Sequence, residues 1–177
     1  STMFQTKHAG KALTIMLSTT LLFNNKLMNA QSPGIEWQGV YGGTASDYLT
    51  SSRQTADGGY ILGGTSFSDS TADKSENKNG AQDFWIVKTD ASGNIVWENT
   101  IGGDAYDYLH IIHQTPDGGY IAGGYSDSGL SGDKSEAGQG FIDYWIVKLD
   151  ATGNIEWDNT IGGSGSDNLF DISLTSD

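Results

Sequence analysis

The chain of 177 residues contains no cysteine. That excludes disulfides, thiolate metal sites and cysteine nucleophiles. Proline is nearly absent at two residues, so little stands in the way of continuous backbone ladders. Basic residues number nine against 22 acidic ones, a net charge of -13. Three of the nine, Lys7, Lys11 and Lys26, precede residue 31 in a stretch without acids. The remaining chain therefore sets six basic residues against all 22 acids. Such a surface repels nucleic acid and anionic membranes, so neither is expected as a partner. Hydrophobic runs long enough to span a bilayer, which needs about 20 residues, are also missing.

Glycine and aromatics are plentiful: 25 Gly, 5 Trp, 8 Tyr and 6 Phe. Glycine supplies turns, and aromatics supply large burial per residue in a chain that is only 36% hydrophobic.

Residues 1–30 read as a secretory signal. Lys7, His8 and Lys11 form a basic start, Ala12–Phe23 an apolar core, and 24–32 a polar exit with Ala30 the last residue removed. Ser1 and Thr2 before Met3 read as a non-native leader. The Asn29-Ala30-Gln31 junction resembles signal peptides of Bacteroidota-type bacteria. The expected address is secreted or outer cell surface, with no membrane span after signal removal.

The main feature is repetition. Trp37, Trp97 and Trp157 lie 60 residues apart. Residues 35–94 align on 95–154 without a gap at 33 identities in 60 positions, and 95–117 on 155–177 at 12 in 23. A fixed period of this size signals stacked units that each bury an apolar face against the next. The sequence ends inside a unit: 35–94 is unit 1, 95–154 unit 2, and 155–177 the start of unit 3. The chain is expected to be a piece of a longer protein.

Each unit reads as four short strands, placed in unit 2 at Ile95–Gly103, Leu109–Thr115, Gly119–Ser126 and Tyr144–Asp150. Ile95, Trp97, Asn99 and Ile101 alternate with polar neighbours. Pro116-Asp117-Gly118 and Asp150–Asn154 are turn sequences. Gly123-Gly124 implies a bulge or close backbone approach. Four antiparallel strands in tandem repetition give the expected fold: an all-β propeller of four-stranded antiparallel blades with a 60-residue repeat, incomplete in this chain.

The elements Asp-x-Trp-Ile-Val-Lys, Gly-Asn-x-x-Trp, Ile-Gly-Gly and Asp-Gly-Gly-Tyr-Ile recur in order over residues 35–177. In these the chain resembles the β-propeller repeats of large secreted bacterial proteins, among them the seven-bladed propeller repeats of Bacteroidota-like cell-surface proteins. The resemblance implies a propeller and says little about activity. The spacing of Gly153 and Trp157 is similar to the tryptophan-docking motif of quinoprotein-type propellers, with the aspartate one residue closer. There the role is packing between blades, and Trp37, Trp97 and Trp157 are read the same way. The stretch departs from the sialidase Asp-box, since Ala91 and Ala151 stand where its aspartate belongs.

Two loops, 66–83 and 126–143, share Asp-Lys-Ser-Glu at one phase. Asp73, Glu76, Asp133 and Glu136 are the candidate metal ligands, with calcium the cofactor they would take. Their spacing does not match the EF-hand loop, and turn hydrogen bonding is the favoured role, so no cofactor is expected, with calcium the alternative. His110 and His113, three apart on one strand, are expected on opposite faces and make a poor metal pair. Parity of an antiparallel meander places the first and third connections of a unit on one face, and the second and fourth on the other. The first pair is long and acidic, so the candidate ligand-binding face carries Asp104, Asp107 and Asp127. The expected function is a secreted or cell-surface binding or scaffolding module, not an enzyme, with an extracellular protein or glycan as partner. The alternative is an extracellular hydrolase or carbohydrate-binding propeller whose site lies outside this sequence.

Overall fold

The computed structural model describes residues 4–6, 13–15 and 34–175. The chain divides into two compact units, Ser1–Tyr41 and Gly42–Asp177. In the first, β1 (Phe4–Thr6) and β2 (Leu13–Ile15) form a two-stranded antiparallel sheet with Phe4 opposite Ile15. Leu13–Ile15 falls within the apolar core of the expected signal and Phe4–Thr6 precedes its basic start; the other residues of that signal lie outside the described ones. Residues 34–41 have no regular structure.

The second unit holds two four-stranded antiparallel sheets. Sheet I is β3 (Asp47–Gln54), β4 (Tyr60–Ser66), β5 (Asp83–Thr89) and β6 (Ile95–Ile101). Sheet II is β7 (Asp107–Gln114), β8 (Tyr120–Ser126), β9 (Asp143–Leu149) and β10 (Ile155–Ile161). Each is a meander in which neighbours in sequence are neighbours in space. No helix occurs among the described residues, and none there is long and apolar enough to cross a membrane. The all-β expectation with antiparallel four-stranded sheets therefore holds.

The phase of the sheets differs from the expected grouping. The strand that opens each sequence unit closes the sheet before it: Ile95–Ile101 pairs with β5, not with β7. The tight turns are the reason. Asp90 N donates to Asn94 O at 2.9 Å, and its carboxylate accepts from Ser92 N, Asn94 N and Asn94 Nδ2, which closes a β5–β6 hairpin. Asp150 closes β9–β10 in the same way. Hydrogen bonds from a single side chain to a turn backbone fix a local hairpin at little entropic cost. The crossing between sheets is left to residues 102–106. Residues 35–43, expected as a strand, form none.

The core lies between the two sheets. Pairing register puts Ile61, Phe84, Ile86 and Ile101 on one face of sheet I. Leu109, Ile112, Tyr120, Ala122, Trp145, Val147 and Leu149 line the opposing face of sheet II. All eleven belong to one buried cluster, with Phe84 and Trp145 at 4.9 Å between ring centroids. The glycine pair of each second strand is used for close approach. Beside Gly63 stand Leu109 Cδ2 and Ile112 Cγ2, each 2.9 Å from where a Cβ would be, so any larger residue would push the sheets apart. Opposite the glycines, β3 and β7 carry bulges at Thr50 and His110. The bulge at His110 corrects the expected alternation. Ring contacts of His110 to Tyr108 and Tyr125, and the pairing of His113 with Ile121, set both histidines on one face of sheet II.

Trp97 projects from β6 onto sheet II. Its ring is edge-on to Tyr120 at 5.6 Å and lies against Gly153, whose φ is 91°. Asn99 Nδ2 donates to Gly153 O at 2.7 Å beside it. For Trp97 the packing role expected of the repeated tryptophan is realised.

Candidate functional site

The register fixes which loops share an end. Asp107 pairs with Ser126 at one end of β7 and Gln114 with Tyr120 at the other. Residues 102–106 and 127–142 therefore lie at one end of sheet II, and 115–119 and 150–154 at the opposite end. Asp104, Asp127, Asp133 and Glu136 stand on the long-loop end and Asp117 on the short-turn end, as the parity argument expects. Asp133 N donates to Gly102 O at 3.0 Å, tying the two long connections together.

The carboxylates at that end are engaged in holding the loops. Asp104 accepts from Ser131 Oγ at 2.8 Å and Gly129 N at 3.2 Å, which lowers its pKa. Asp127 accepts from Tyr106 N at 2.5 Å. Asp107, a candidate for ligand contact, is buried. It accepts from Gly103 N at 2.7 Å and Ser128 Oγ at 3.0 Å, and burial raises its pKa. It starts a strand and caps the loop preceding it, as Asp47 does with Gly43 N and Ser66 Oγ.

The Asp-Lys-Ser-Glu loops are straps across the sheets. Glu76 Oε2 accepts from Thr100 N at 2.8 Å, and Glu136 Oε2 from Thr160 N at 2.8 Å. Those amides lie on the outer edges of β6 and β10, where the ladder has no further strand. A carboxylate there satisfies a backbone donor and blunts an edge. Asp133 Oδ2 accepts from Gly102 N at 3.0 Å and from Asn79 Nδ2 at 3.1 Å, and Asp73 Oδ2 accepts from Gly42 N at 3.2 Å. The lysine between them is the anchor. Lys74 and Lys134 are 2% and 3% exposed. Lys74 Nζ donates to Thr100 Oγ1 and to Glu76 O, and Lys134 Nζ to Thr160 Oγ1 at 2.7 Å, 5.2 Å from the Trp145 ring centre. Desolvation pulls both ammonium pKa values down while surrounding carboxylates hold them up. Trp85 and Trp145 complete the arrangement by donating Nε1–H to Glu98 at 2.7 Å and Asp158 at 2.9 Å.

Asp73, Glu76, Asp133 and Glu136 each spend an oxygen on a backbone amide, at four separate places. No group of three or more His, Asp or Glu that could hold a metal ion occurs among the described residues. His110 is packed among Tyr108, Tyr125 and Phe170, and desolvation lowers its pKa.

Sequence reasoning missed the buried carboxylates at the seams. Asp83 and Asp143 start β5 and β9, and each takes loop amides on Oδ2, from Asn79 N and Gln139 N respectively. Their Oδ1 atoms are buried without a hydrogen-bond partner. Burial and the neighbouring Asp107 charge push the Asp83 pKa up to about 6. The available signal was an aspartate repeated just before the Trp-Ile-Val-Lys strand, at the phase where a strand enters the core.

What remains open to contact at the long-loop end is largely side chains that differ between the repeats. Leu130 and Phe141 are exposed, Phe141 at 79%, where unit 1 has Ser70 and Ala81. Tyr106 is also exposed, where the earlier unit has Ser46. No protein-family model matches the chain, and no curated protein matches it.

Proposed function

We propose that the chain is part of a secreted or cell-surface β-propeller that works as a binding or scaffolding module through its long-loop end, rather than as an enzyme. One observation carries the propeller reading: the step from sheet I to sheet II is taken again after sheet II. Leu109 and Ile112 sit on Gly63, and Leu169 and Ile172 sit on Gly123. The parallel bridge of Gln82 with Tyr106 recurs between Ile142 and Ser166. A step repeated in sequence and geometry supports the reading of a ring of sheets, the arrangement in which four-stranded blades hide their faces.

The binding role is supported by the division of labour at the long-loop end. Acidic side chains there hold the backbone, while the positions that vary between repeats, Tyr106, Leu130 and Phe141, face outward. Variable side chains on loops fixed by a rigid scaffold are where recognition concentrates. The partner is an extracellular protein or glycan.

Photo-crosslinkers placed at Phe141 and, at the opposite end, at Ala151 test this reading in material exported by the native host. Adducts at 141 and none at 151 are expected. Adducts only at 151 would overturn the face assignment.

A further inference from the structure

Two loops of unit 2 put apolar side chains where unit 1 has serine. Tyr106 is 51% exposed and Leu130 67%, at the places of Ser46 and Ser70. Tyr106 and Leu130 are exposed with sheet I beside them, and Ser46 and Ser70 with sheet II beside them, so neither place is one that a neighbouring sheet covers. The two loops are stitched into one surface. Asp127 N donates to Tyr106 O at 3.0 Å, and Asp127 Oδ1 accepts from Tyr106 N. Asp104 N donates to Ser131 Oγ and Ala105 N to Ser128 Oγ, each at 2.9 Å. Both apolar side chains therefore stand on ordered backbone, which spares a partner the cost of fixing the loops.

The charge around them has one sign. Asp104, Asp127 and Glu136 are exposed at this end. Six basic residues follow residue 30. Of these, Lys74 and Lys134 are buried. Pairing register puts Arg53 beside the short turn 55–59, and Lys88 and Lys148 pair with Asp57 and Asp117, all at the opposite end. Lys78 is left at the long-loop end, 3.7 Å from Asp69 of unit 1. Resting on the binding-module reading, we propose that Tyr106 and Leu130 dock a basic polypeptide segment, one with an apolar side chain flanked by lysine or arginine. The apolar side chain packs on Tyr106 and Leu130, since an exposed apolar patch rimmed by polar groups marks an interaction site and tyrosine is a favoured anchor. The flanking cations meet Asp104 and Asp127, whose loop-holding bonds run to Oδ1. Complementary charge of this kind selects the partner and speeds its approach. A second copy of this chain brings its own acidic surface and is repelled. A neutral glycan would use the Tyr106 ring but gains nothing from the net charge.

The test titrates the full chain with a short labelled peptide that alternates lysine and leucine, read by fluorescence anisotropy. Saturable binding of one peptide per chain is expected, weakened at least about tenfold as salt rises from about 0.05 to 0.5 M. Tyr106→Ser combined with Leu130→Ser should weaken it at least about tenfold, as should Asp104→Asn combined with Asp127→Asn. The two serines are the residues that unit 1 carries, so the sheets stay folded, which circular dichroism checks. A peptide alternating lysine and serine should bind at least about tenfold more weakly than the leucine one. Equal binding of the two peptides, or binding untouched by the serine pair, means attraction to acid alone and overturns the proposal. Absence of saturable binding overturns it, as does tighter binding of a neutral β-linked glucose oligosaccharide. Failure here alongside crosslinking at Phe141 sinks the basic partner and leaves the binding-face reading standing.

Discussion

Sheets I and II present the same face with nearly the same residues, yet only that of sheet I is covered by a further sheet among the described residues. On sheet I, Ile61, Phe84, Ile86 and Ile101 are wholly buried under sheet II. Their counterparts on sheet II are Ile121, Tyr144, Ile146 and Ile161, and Ile161 is 52% exposed. Trp97 rests on Gly153, while Trp157 is 45% exposed. Identity of sequence does not decide burial here; the neighbour does. The stability of a repeat array is accordingly a sum over its sheets and over the seams between them.

The largest test of that difference is the isoleucine pair. Ile101→Ala opens a cavity in the shared core and should cost about 3–4 kcal/mol. Ile161→Ala removes a side chain already half in water and should stay within about 0.5 kcal/mol. Urea titration of both variants checks it. Equal losses would mean that the two faces are covered alike in solution.

The tryptophan pair gives a smaller contrast. Trp97 is only partly buried, so Trp97→Ala should cost about 2–3 kcal/mol, below the range for a fully buried indole. Trp157→Ala should again lie within about 0.5 kcal/mol in the chain alone. Tryptophan fluorescence during denaturation reads both. A loss under about 1 kcal/mol for Trp97→Ala would show that the indole does not hold the seam.

Much of this was legible in the sequence, because it rests on local periodicity. The alternation of Trp97, Asn99 and Ile101 set one face of β6, and the turn sequences set every short hairpin. Parity then placed Asp104 and Asp133 on the same end. What the sequence hid is non-local. The strand Ile95–Ile101 could pair on either side by its own pattern, and only the Asp90 turn commits it to β5. A bulge at His110 reverses the alternation that simple counting assumes. Nothing in the local pattern of the Asp-Lys-Ser-Glu loops marks Lys74 and Lys134 as buried. They are buried anchors, because a long side chain can reach a threonine hydroxyl on the edge strand and bring the loop with it.

The smallest effect separates the core seam from the short turns through pH. Asp83 starts β5 beside the crossing to sheet II, and burial pushes its pKa up to about 6 from the ordinary aspartate value of 3.8. The native state therefore holds this proton more tightly than the unfolded chain does. Stability from this group is present below about pH 4 and is lost as pH rises through 6. A shift of this size would correspond to about 3 kcal/mol, and relaxation around the carboxylate brings the expected effect to on the order of 1–2 kcal/mol. The short turns behave oppositely. Asp57 is held down to about 2, chiefly by Lys88 Nζ at 2.8 Å and by Thr55 Oγ1, and Asp117 is held at about 2 by Thr115 Oγ1, Gly119 N and Lys148. Their contribution is present above 3.8 and disappears as pH falls toward 2, and exposure to solvent keeps it small. Together the two ends give a stability maximum between about pH 4 and 5. Asp83→Asn, which keeps the shape and removes the titration, should flatten the fall between pH 5 and 7 and leave the acid limb below pH 4 unchanged. Urea midpoints measured across pH 3–8 on both proteins decide it. An unchanged slope between pH 5 and 7 in Asp83→Asn would place the titrating group elsewhere.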